Sequence, residues 1–334
     1  MNHDYCLQFD KLFRNFGLGS LLCEPEQIFG GHLHRMYAVT ATTGKYAVKA
    51  LNPQVMLRPE AKQNIINAER IAQIAARYIP ALPAKLFDGN CMPKVDSQYY
   101  IIFDWIDGCS IFEDQITTSH CELMGCILAK LHKIDFSSLN IKDDSYADEK
   151  MMDWQYYLQR GKEVKSEWFP LFEENIEQLI NWNKRLIKAA GELSSETVIT
   201  HCDLDPKNVM WQNEKAVLID WEAAGIIHPM HDLVITALYW AGEIDTDKDK
   251  FLAFIKGYTD AGGILKGDWN AVFNKGFGSK LGWLEYSLKR SLGIECADEA
   301  EQKIGTDHVF GMIKRLHNYN DTSKWIIELL ESNK

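Results

Sequence analysis

The sequence predicts an α+β fold with two lobes, a small N-terminal lobe built on an antiparallel β-sheet and a larger, mostly helical C-terminal lobe. Short β-rich runs dominate the first hundred residues, whereas long amphipathic patterns with helical spacing dominate the chain after Gly108. A turn-like segment between them ends the last strand pattern. We therefore place the N-terminal lobe at residues 1–103, a hinge at 104–108 and the helical lobe at 109–334.

The N-terminal lobe is predicted to contain strands and one helix. Gln27–Thr40 and Lys45–Leu51 are rich in β-forming residues, and the segment 41–44 between them ends in a Thr-Gly pair typical of a hairpin turn. Tyr99–Phe103 is a continuous apolar run, as in a buried strand. Ala61–Tyr78 places small and apolar residues on one face at helical spacing, which predicts a helix.

The C-terminal lobe is predicted from its helical patterns. Only short strands beside a polar segment at 201–222 interrupt them, and a helical insertion is expected between Ser137 and Gly191. The amphipathic patterns cover Cys121–Ile134, Ile176–Leu193, Asp232–Gly242 and Phe251–Ala261.

Composition excludes several classes of protein. The 334 residues suffice for two core-forming lobes, and 46% hydrophobic with 25% charged residues is ordinary for a globular chain. A formal net charge of −11 without a basic block argues against nucleic-acid binding. No apolar run has the length of a membrane span, and the first residues lack a secretory signal pattern. The eight cysteines include no CxxC pair, which is typical of reduced thiols, so we expect a cytoplasmic protein.

The segment 201–222 carries a pattern that suits phosphoryl transfer. Asp203 and Asn208 lie five residues apart, and Asp220 follows twelve residues later at the end of an apolar strand. Transfer of a phosphoryl group to a hydroxyl needs an acceptor for the hydroxyl proton and ligands that hold Mg²⁺ on the phosphates. Asp203 suits the first task. Asn208 and Asp220 suit the second, since Mg²⁺ prefers hard oxygen donors.

The N-terminal lobe carries residues that suit a nucleotide. Gly30 and Gly31 lie at a strand turn, where backbone N–H groups can approach phosphates. Lys49 lies in an apolar strand and needs an anionic partner when buried. Glu69, in the middle of the predicted helix, is the expected carboxylate partner. A hairpin turn and an edge-strand lysine would explain each feature singly, but their combination with the segment 201–222 favours a nucleotide site.

The motif His201-x-Asp203-x-x-Pro206-x-Asn208, followed by Leu218-Ile-Asp-Trp-Glu222, resembles the aminoglycoside phosphotransferase family, which also includes choline kinase-like and homoserine kinase-like enzymes. The likeness extends over most of the chain, because the lysine strand and the hinge are also similar to those of the family. The resemblance implies a protein-kinase-like fold, ATP or GTP as the phosphate donor, and Mg²⁺.

The resemblance also implies roles for single residues. Asp203 would accept or orient the proton of the substrate hydroxyl, and Asn208 and Asp220 would bind Mg²⁺. The hinge backbone near Asp104 and Ile106 would pair with the edge of the purine. With Lys49, Glu69, Gly30 and Gly31, these residues make up the predicted nucleotide site.

The chain departs from the commonest family pattern after the metal-binding aspartate, where many members have Phe-Gly and this chain has Trp221-Glu222. Two explanations of Glu222 stay open: it adds a carboxylate to the metal shell or the substrate mouth, or it pairs with a nearby cation. His201 is expected to shape the loop through a hydrogen bond rather than to move protons.

These observations favour a kinase for a small molecule with a hydroxyl group. The acceptor is either an aminoglycoside-like antibiotic, which would make the protein a resistance enzyme, or a metabolic alcohol such as choline, homoserine or a thiosugar. A non-catalytic binding module is disfavoured because Lys49, Asp203, Asn208 and Asp220 are all present. A protein kinase is disfavoured because no activation segment is evident after Asp220.

The acceptor is expected to bind in the helical lobe. Aromatic side chains beside carboxylates can hold an amine or stack on a sugar ring, although at helical spacing they more often fill a core. The candidates are Asp153, Trp154, Tyr156, Tyr157, Trp211, Trp240, Trp283, Glu285 and Tyr286.

Overall fold

The structure is a computed structural model that describes residues 5–28, 34–141, 149–296 and 299–332. The chain divides into two compact units. The first contains Met1–Ile116, Lys130–Ile141 and Ile199–Gly225, and the second contains Thr117–Ala129, Lys142–Val198 and Ile226–Lys334. The segment 201–222 therefore belongs to the same unit as the N-terminal strands, although it lies far from them along the chain.

Strands and helices are distributed unevenly along the chain. The strands are β1 (Glu26–Ile28), β2 (Arg35–Ala41), β3 (Gly44–Ala50), β4 (Lys94–Val95), β5 (Gln98–Asp104), β6 (Val198–Thr200), β7 (Val209–Gln212), β8 (Lys215–Leu218) and β9 (Gly225–Ile227). The helices are α1 (Phe9–Asn15), α2 (Ala61–Ala75), α3 (Thr118–Leu131), α4 (Trp154–Glu163), α5 (Phe169–Leu193), α6 (Pro229–Ala241), α7 (Lys248–Asp260), α8 (Trp269–Lys275), α9 (Phe277–Ser291) and α10 (Glu299–Ser332).

The first unit is built on an antiparallel sheet with the strand order β1-β2-β3-β5-β4. In this register Lys49 of the central strand β3 lies opposite Met36 of β2 and Ile101 of β5. Residues directly opposite each other in a sheet share a face, and successive residues alternate between faces. Lys49 therefore lies on the same sheet face as Ile101.

Each face of this sheet is covered by a different apolar cluster. Leu12 and Phe13 of α1 pack with Val48 and other strand residues on one face. Ile65 of α2 packs with Ile101 and its neighbours on the other. Lys49 thus lies on the face that α2 covers, which makes its ammonium expensive to bury without an anionic partner.

The hairpin of β7 and β8 is attached to the same unit by backbone hydrogen bonds. Leu218 donates to the Pro80 carbonyl at 2.8 Å and accepts from the Leu82 N–H at 2.8 Å. At the other end of the hairpin, Trp211 and Cys109 exchange hydrogen bonds of 2.8 and 3.3 Å. A Cβ at Gly108 would lie 2.6 Å from the Trp211 carbonyl oxygen, so this close approach requires glycine.

The second unit is helical and has a core rich in aromatic side chains. Trp154, Trp168, Trp182, Trp240 and Trp269 are all fully buried. The indole N–H of Trp168 donates to Ser291 at 2.8 Å, and that of Trp154 donates to Asn183 at 3.1 Å. Buried indoles that satisfy their N–H in this way fix the helices against one another.

Most of the predicted elements agree with those observed, but the helix predicted at Ile176–Leu193 begins at Phe169, and the run Gln27–Thr40 contains two strands, β1 and β2. The amphipathic patterns correspond to α3, α5, α6 and α7, and the helix after residue 60 to α2. The lysine strand and the buried apolar strand correspond to β3 and β5. The α+β class, with an antiparallel N-terminal sheet and a helical remainder, is therefore confirmed. Within the described residues, no helix is both long and apolar enough to cross a bilayer.

Candidate active site

The candidate site is centred on the ammonium of Lys49. Its Nζ donates to Asp220 Oδ1 at 2.8 Å and to Glu222 Oε2 at 2.9 Å. Burial lowers the pKa of Lys49, but the two carboxylates outweigh this effect and hold the pKa above its ordinary value. The β3 strand and the segment after β8 are thereby joined by two charge-assisted hydrogen bonds.

Asp220 adopts a backbone conformation that few residues with a side chain accept. Its φ is 58° and its ψ 63°, in the left-handed region. Burial raises its pKa and Lys49 lowers it, with a net shift below the ordinary value, so the carboxylate is ionised at neutral pH. The segment is held in place because the Ile219 N–H donates to the Asn208 carbonyl at 2.9 Å.

Asp203 and Asn208 are in direct contact, as their spacing predicts. Asn208 Nδ2 donates to the carbonyl oxygen of Asp203 and to its Oδ2, each at 2.8 Å. Pro206 begins the short 3₁₀ turn 206–208, which brings the two side chains together, and the side chain of Asp205 caps the turn by accepting from the Lys207 N–H at 2.9 Å. The loop therefore presents one carboxylate with a fixed orientation.

The charge on Asp203 is shaped by its surroundings. Burial raises its pKa, and Lys207 counteracts this effect most strongly. The Lys207 ammonium lies 3.6 Å from Oδ2 of Asp203 and 3.6 Å from Oδ2 of Asp205. Since the pKa is raised from a low starting value, Asp203 is more basic than a free aspartate.

His201 has the structural role that was predicted. Its Nε2 lies 2.9 Å from the carbonyl oxygen of Ile219, and its ring packs 4.7 Å from that of Trp221. Both His201 and Trp221 are buried. The ring thus ties the start of the catalytic loop to the end of the β7–β8 hairpin.

The expected ion pair between Lys49 and Glu69 is not formed, and this part of the prediction is wrong. Glu69 Oε2 accepts instead from the Ala84 N–H at 2.8 Å. Burial of this carboxyl raises its pKa to about 7, against the lowering effects of the Ala84 N–H and Lys49. The sequence places Glu69 on the correct face of α2, but a backbone donor occupies its oxygen. A role of Glu69 at the nucleotide stays a prediction.

Two residues of this cluster could not be assigned from sequence. Glu222 is found paired with a cation, as one of its two explanations required. His34 is buried, with Nδ1 accepting from the Asn52 N–H at 2.9 Å and Nε2 at 3.8 Å from Glu222 Oε2. A lone histidine near a predicted strand gave no signal of this placement.

The predicted hinge follows β5 directly. Asp104 ends the strand, and its carboxylate bonds Lys85 at 2.8 Å. Trp105 lies under the Lys45 ammonium, 3.7 Å from its ring centroid, and donates to Asp107 at 2.8 Å. These contacts fix the side chains, while the assignment of Asp104 and Ile106 backbone to a purine edge stays a prediction. Gly30 and Gly31 lie outside the described residues.

The donor set fits Mg²⁺ better than a transition metal. The described residues contain no group of three or more His, Cys, Asp or Glu side chains able to hold a metal ion. Asp220 and Asn208 offer one carboxylate and one amide oxygen, since the amide nitrogen of Asn208 is occupied by Asp203. Mg²⁺ commonly takes one or two carboxylates from protein and completes its shell with water and phosphate oxygens.

One comparison with known proteins identifies a family. The model of the phosphotransferase enzyme family (APH) matches residues 24–272. No match was found among curated proteins.

Several solved structures with a similar fold are phosphotransferases or kinases by name. A spectinomycin phosphotransferase in complex with ADP and spectinomycin aligns with a TM-score of 0.68 and 13% identity, over 94% of this chain and 99% of that one. An ethanolamine kinase from Plasmodium vivax aligns with a TM-score of 0.55 and 18% identity, over 87% and 81%. An amicoumacin kinase in complex with AMP-PNP, Ca²⁺ and Ami aligns with a TM-score of 0.60 and 11% identity, over 89% of each chain.

At these identities the solved structures establish the fold, and the predicted protein-kinase-like architecture is confirmed. The family model covers well over half of the chain and includes Lys49, Asp203, Asn208 and Asp220. The chain therefore belongs to the phosphotransferase enzyme family.

Proposed function

We propose that the protein transfers the γ-phosphoryl group of ATP or GTP to a hydroxyl group of a small acceptor. The observation that carries this proposal is the pair Asp203–Asn208, held in one unit with the Lys49–Asp220 pair. Phosphoryl transfer needs positioned charges more than covalent chemistry, and these four residues supply a base, two metal-binding oxygens and a phosphate-binding cation.

In this proposal each side chain acts at a defined atom. Asp203 Oδ2 is fixed by Asn208 Nδ2, which leaves Oδ1 to accept the proton of the acceptor hydroxyl. Lys49 binds phosphate oxygens with its ammonium, which the neighbouring carboxylates keep charged. Asp220 and Asn208 would hold Mg²⁺, which when bound neutralises charge on the β- and γ-phosphate oxygens. Asp104 and Ile106 backbone, with Gly30 and Gly31, would bind the rest of the nucleotide.

We further propose that the acceptor carries an amine. On the helical unit the Tyr157 hydroxyl donates to Glu285 Oε1 at 3.0 Å, which joins α4 to α9 around a carboxylate. Trp283 and Tyr286 flank Glu285 and pack edge to face, with 60% and 39% of their surfaces exposed. Exposed aromatic rings beside a carboxylate attract a cationic amine, and the net charge of −11 favours the same class of ligand.

Three of the remaining aromatic candidates, Trp154, Trp211 and Trp240, do not support this proposal. Trp154 and Trp240 are fully buried and belong to the core. Trp211 lies in β7, where its backbone pairs with Cys109. Tyr156 is exposed and packs edge to face on Tyr157, so it extends the proposed surface.

An acceptor screen tests both the proposed phosphoryl transfer and the proposed amine on the acceptor. Nucleotide turnover with Mg²⁺ would be measured with aminoglycosides, spectinomycin, choline, ethanolamine and homoserine, and with glycerol and neutral sugars as uncharged alcohols. We expect stimulation by one or more of the amines and none by the uncharged alcohols. The variant E285Q should raise the KM for the amine by about tenfold, the effect of losing one charged contact, and leave kcat nearly unchanged. Glu285 Oε2 also lies 3.7 Å from the Lys289 ammonium, so the matched control is E295Q, an exposed glutamate 3.4 Å from the same ammonium.

Other outcomes would favour a different function. Equal turnover with neutral sugars would contradict the proposal that the acceptor carries an amine, and would favour a thiosugar kinase. It would not contradict phosphoryl transfer. Binding of Mg-nucleotide without turnover on any acceptor would favour a binding module. If an aminoglycoside-like compound is the acceptor, expression of the protein in a susceptible bacterium should raise the drug concentration that stops growth.

A further inference from the structure

We propose that Glu222 is the carboxylate that holds the Lys49 ammonium in its phosphate-binding position, and that His34 also restrains Glu222. Glu222 would thus be a positioning residue that acts through Lys49. The inference rests on the proposed function, because it assigns Lys49 to the phosphates of a nucleotide.

The contact geometry supports a specific pair. Lys49 Nζ lies 2.9 Å from Glu222 Oε2 and 2.8 Å from Asp220 Oδ1, and only 10% of its side chain is exposed. An ammonium buried in this way needs a permanent partner. Asp220 has a second proposed duty at the metal, so it cannot hold Lys49 alone while its oxygens bind a cation. Glu222 can stay on Lys49 throughout.

Glu69 is engaged elsewhere in the structure. Its Oε2 accepts from the Ala84 N–H at 2.8 Å, while Gln73 Nε2 donates to the Ala84 carbonyl at 2.6 Å. Glu69 and Gln73 of α2 therefore hold both backbone polar groups of a single residue, Ala84. A move of the Glu69 carboxylate to Lys49 would leave the buried Ala84 N–H without a partner, which is unfavourable.

His34 also approaches the carboxylate of Glu222. The Asn52 N–H donates to His34 Nδ1 at 2.9 Å, which fixes the ring and places the hydrogen of the neutral imidazole on Nε2. That Nε2 lies 3.8 Å from Glu222 Oε2, the same oxygen that binds Lys49. The distance is too long for a hydrogen bond, and it allows an electrostatic restraint that tightens with a small side-chain movement.

A double-mutant cycle tests whether Glu222 acts through Lys49. ATP affinity would be measured by calorimetry in EDTA, so that binding of a metal does not contribute, for wild type, E222Q, K49M and the double variant. We expect E222Q to weaken ATP binding at least fivefold in the wild-type background and less than twofold in the K49M background. H34Q should weaken binding at least twofold, and this effect should also vanish in the E222Q background. E60Q, at the exposed start of α2, is the matched control for loss of a glutamate charge.

Two results would overturn the inference. The first is additivity of E222Q and K49M in ATP affinity. The second is an E222Q variant that binds ATP in EDTA as tightly as wild type but needs a higher Mg²⁺ concentration for activity. This result would make Glu222 a metal ligand.

A second cycle keeps the test independent of the proposed function. The urea midpoints of unfolding would be measured for the same variants without nucleotide. We expect the K49M and E222Q shifts to be non-additive and the K49M and E69Q shifts to be additive; the reverse pattern would refute the pair. A wild type that bound no ATP would refute the proposed function, and this unfolding cycle would still decide between Glu222 and Glu69.

Discussion

Two residues of the candidate site have left-handed backbone conformations although neither is glycine. Cys202 has a φ of 60° and Asp220 a φ of 58°. Each such residue costs on the order of 1–3 kcal/mol and persists only where its surroundings fix it. The hydrogen bond between His201 and the Ile219 carbonyl joins the two strained segments directly. Two strained backbone positions therefore lie where the proposed base and metal ligand are presented.

At the residue scale, Asn208→Ala tests the orientation of Asp203. The change removes two hydrogen bonds of 2.8 Å to Asp203 and one proposed metal ligand. We expect kcat to fall by about 10–100-fold or more and the half-saturating Mg²⁺ concentration to rise. Steady-state kinetics over a Mg²⁺ series measure both effects, with Asn64→Ala on the exposed side of α2 as the control. Unchanged kcat would remove Asn208 from the site.

Glu69 gives a prediction about pH. Burial raises its pKa in the folded protein to about 7, above the ordinary 4.5 of a glutamate. Between these values the native state holds a proton that the unfolded state has released, so this group lowers stability as the pH rises from 4.5 to 7. We expect the difference in unfolding free energy between E69Q and wild type to shift in favour of E69Q from pH 4.5 to pH 8, by about 2–4 kcal/mol. Urea unfolding at the two pH values measures the difference, and parallel curves for both proteins would contradict the shift.

At the element scale, two glycines allow α3 and α7 to pack at close range. A Cβ at Gly125 would collide with the Phe254 carbonyl oxygen, and one at Gly257 would collide with the Glu122 carbonyl oxygen. The Lys256 ammonium, next to this contact, bonds both Glu122 and Asp260 at 2.6 Å. The contact is backbone against backbone, so neither helix can relieve it by a change of side-chain rotamer.

Gly257→Ala should therefore destabilise the helical unit. An added methyl group in this contact forces a backbone shift, for which we expect a loss of about 1–3 kcal/mol. Gly191→Ala in α5 is the matched control, since nothing lies within 4 Å of its added Cβ. That change should be neutral or stabilise the protein by up to about 1 kcal/mol. Equal urea midpoints for the two variants would contradict the close packing of α3 and α7.

At the scale of the whole molecule, His231 is expected to limit stability in acid. It is buried on α6, and burial lowers its pKa to about 3, assisted by the nearby Lys275, so the native state holds it neutral. The unfolded state binds a proton below pH 6.5 and the native state does not, so stability is full above pH 6.5 and is lost as the pH falls towards 3. H231Q should lose less stability than wild type between pH 7 and 4.5, by about 1–3 kcal/mol. His308→Gln on exposed α10 should behave as wild type.

The sequence was most informative where period and spacing determine the structure. Asp203 and Asn208 were predicted to cooperate because a five-residue spacing around Pro206 is local, and the helices and strands followed from their apolar periods. The partner of Lys49 could not be predicted in this way. Glu69 and Glu222 both lie near it, and the choice depends on the Ala84 N–H, a backbone donor that carries no sequence signal.

The most direct test of the central proposal is acceptor-dependent phosphate transfer by wild type and D203N, followed by ³¹P NMR alongside ATP affinity. Asp203 is the proposed base, and asparagine keeps its shape while losing its charge. D205N is the matched control, because asparagine can still cap the turn 206–208. We predict that D203N loses transfer by about 10²-fold or more and keeps its ATP affinity, whereas D205N retains transfer. Transfer by D203N at the wild-type rate would contradict the account.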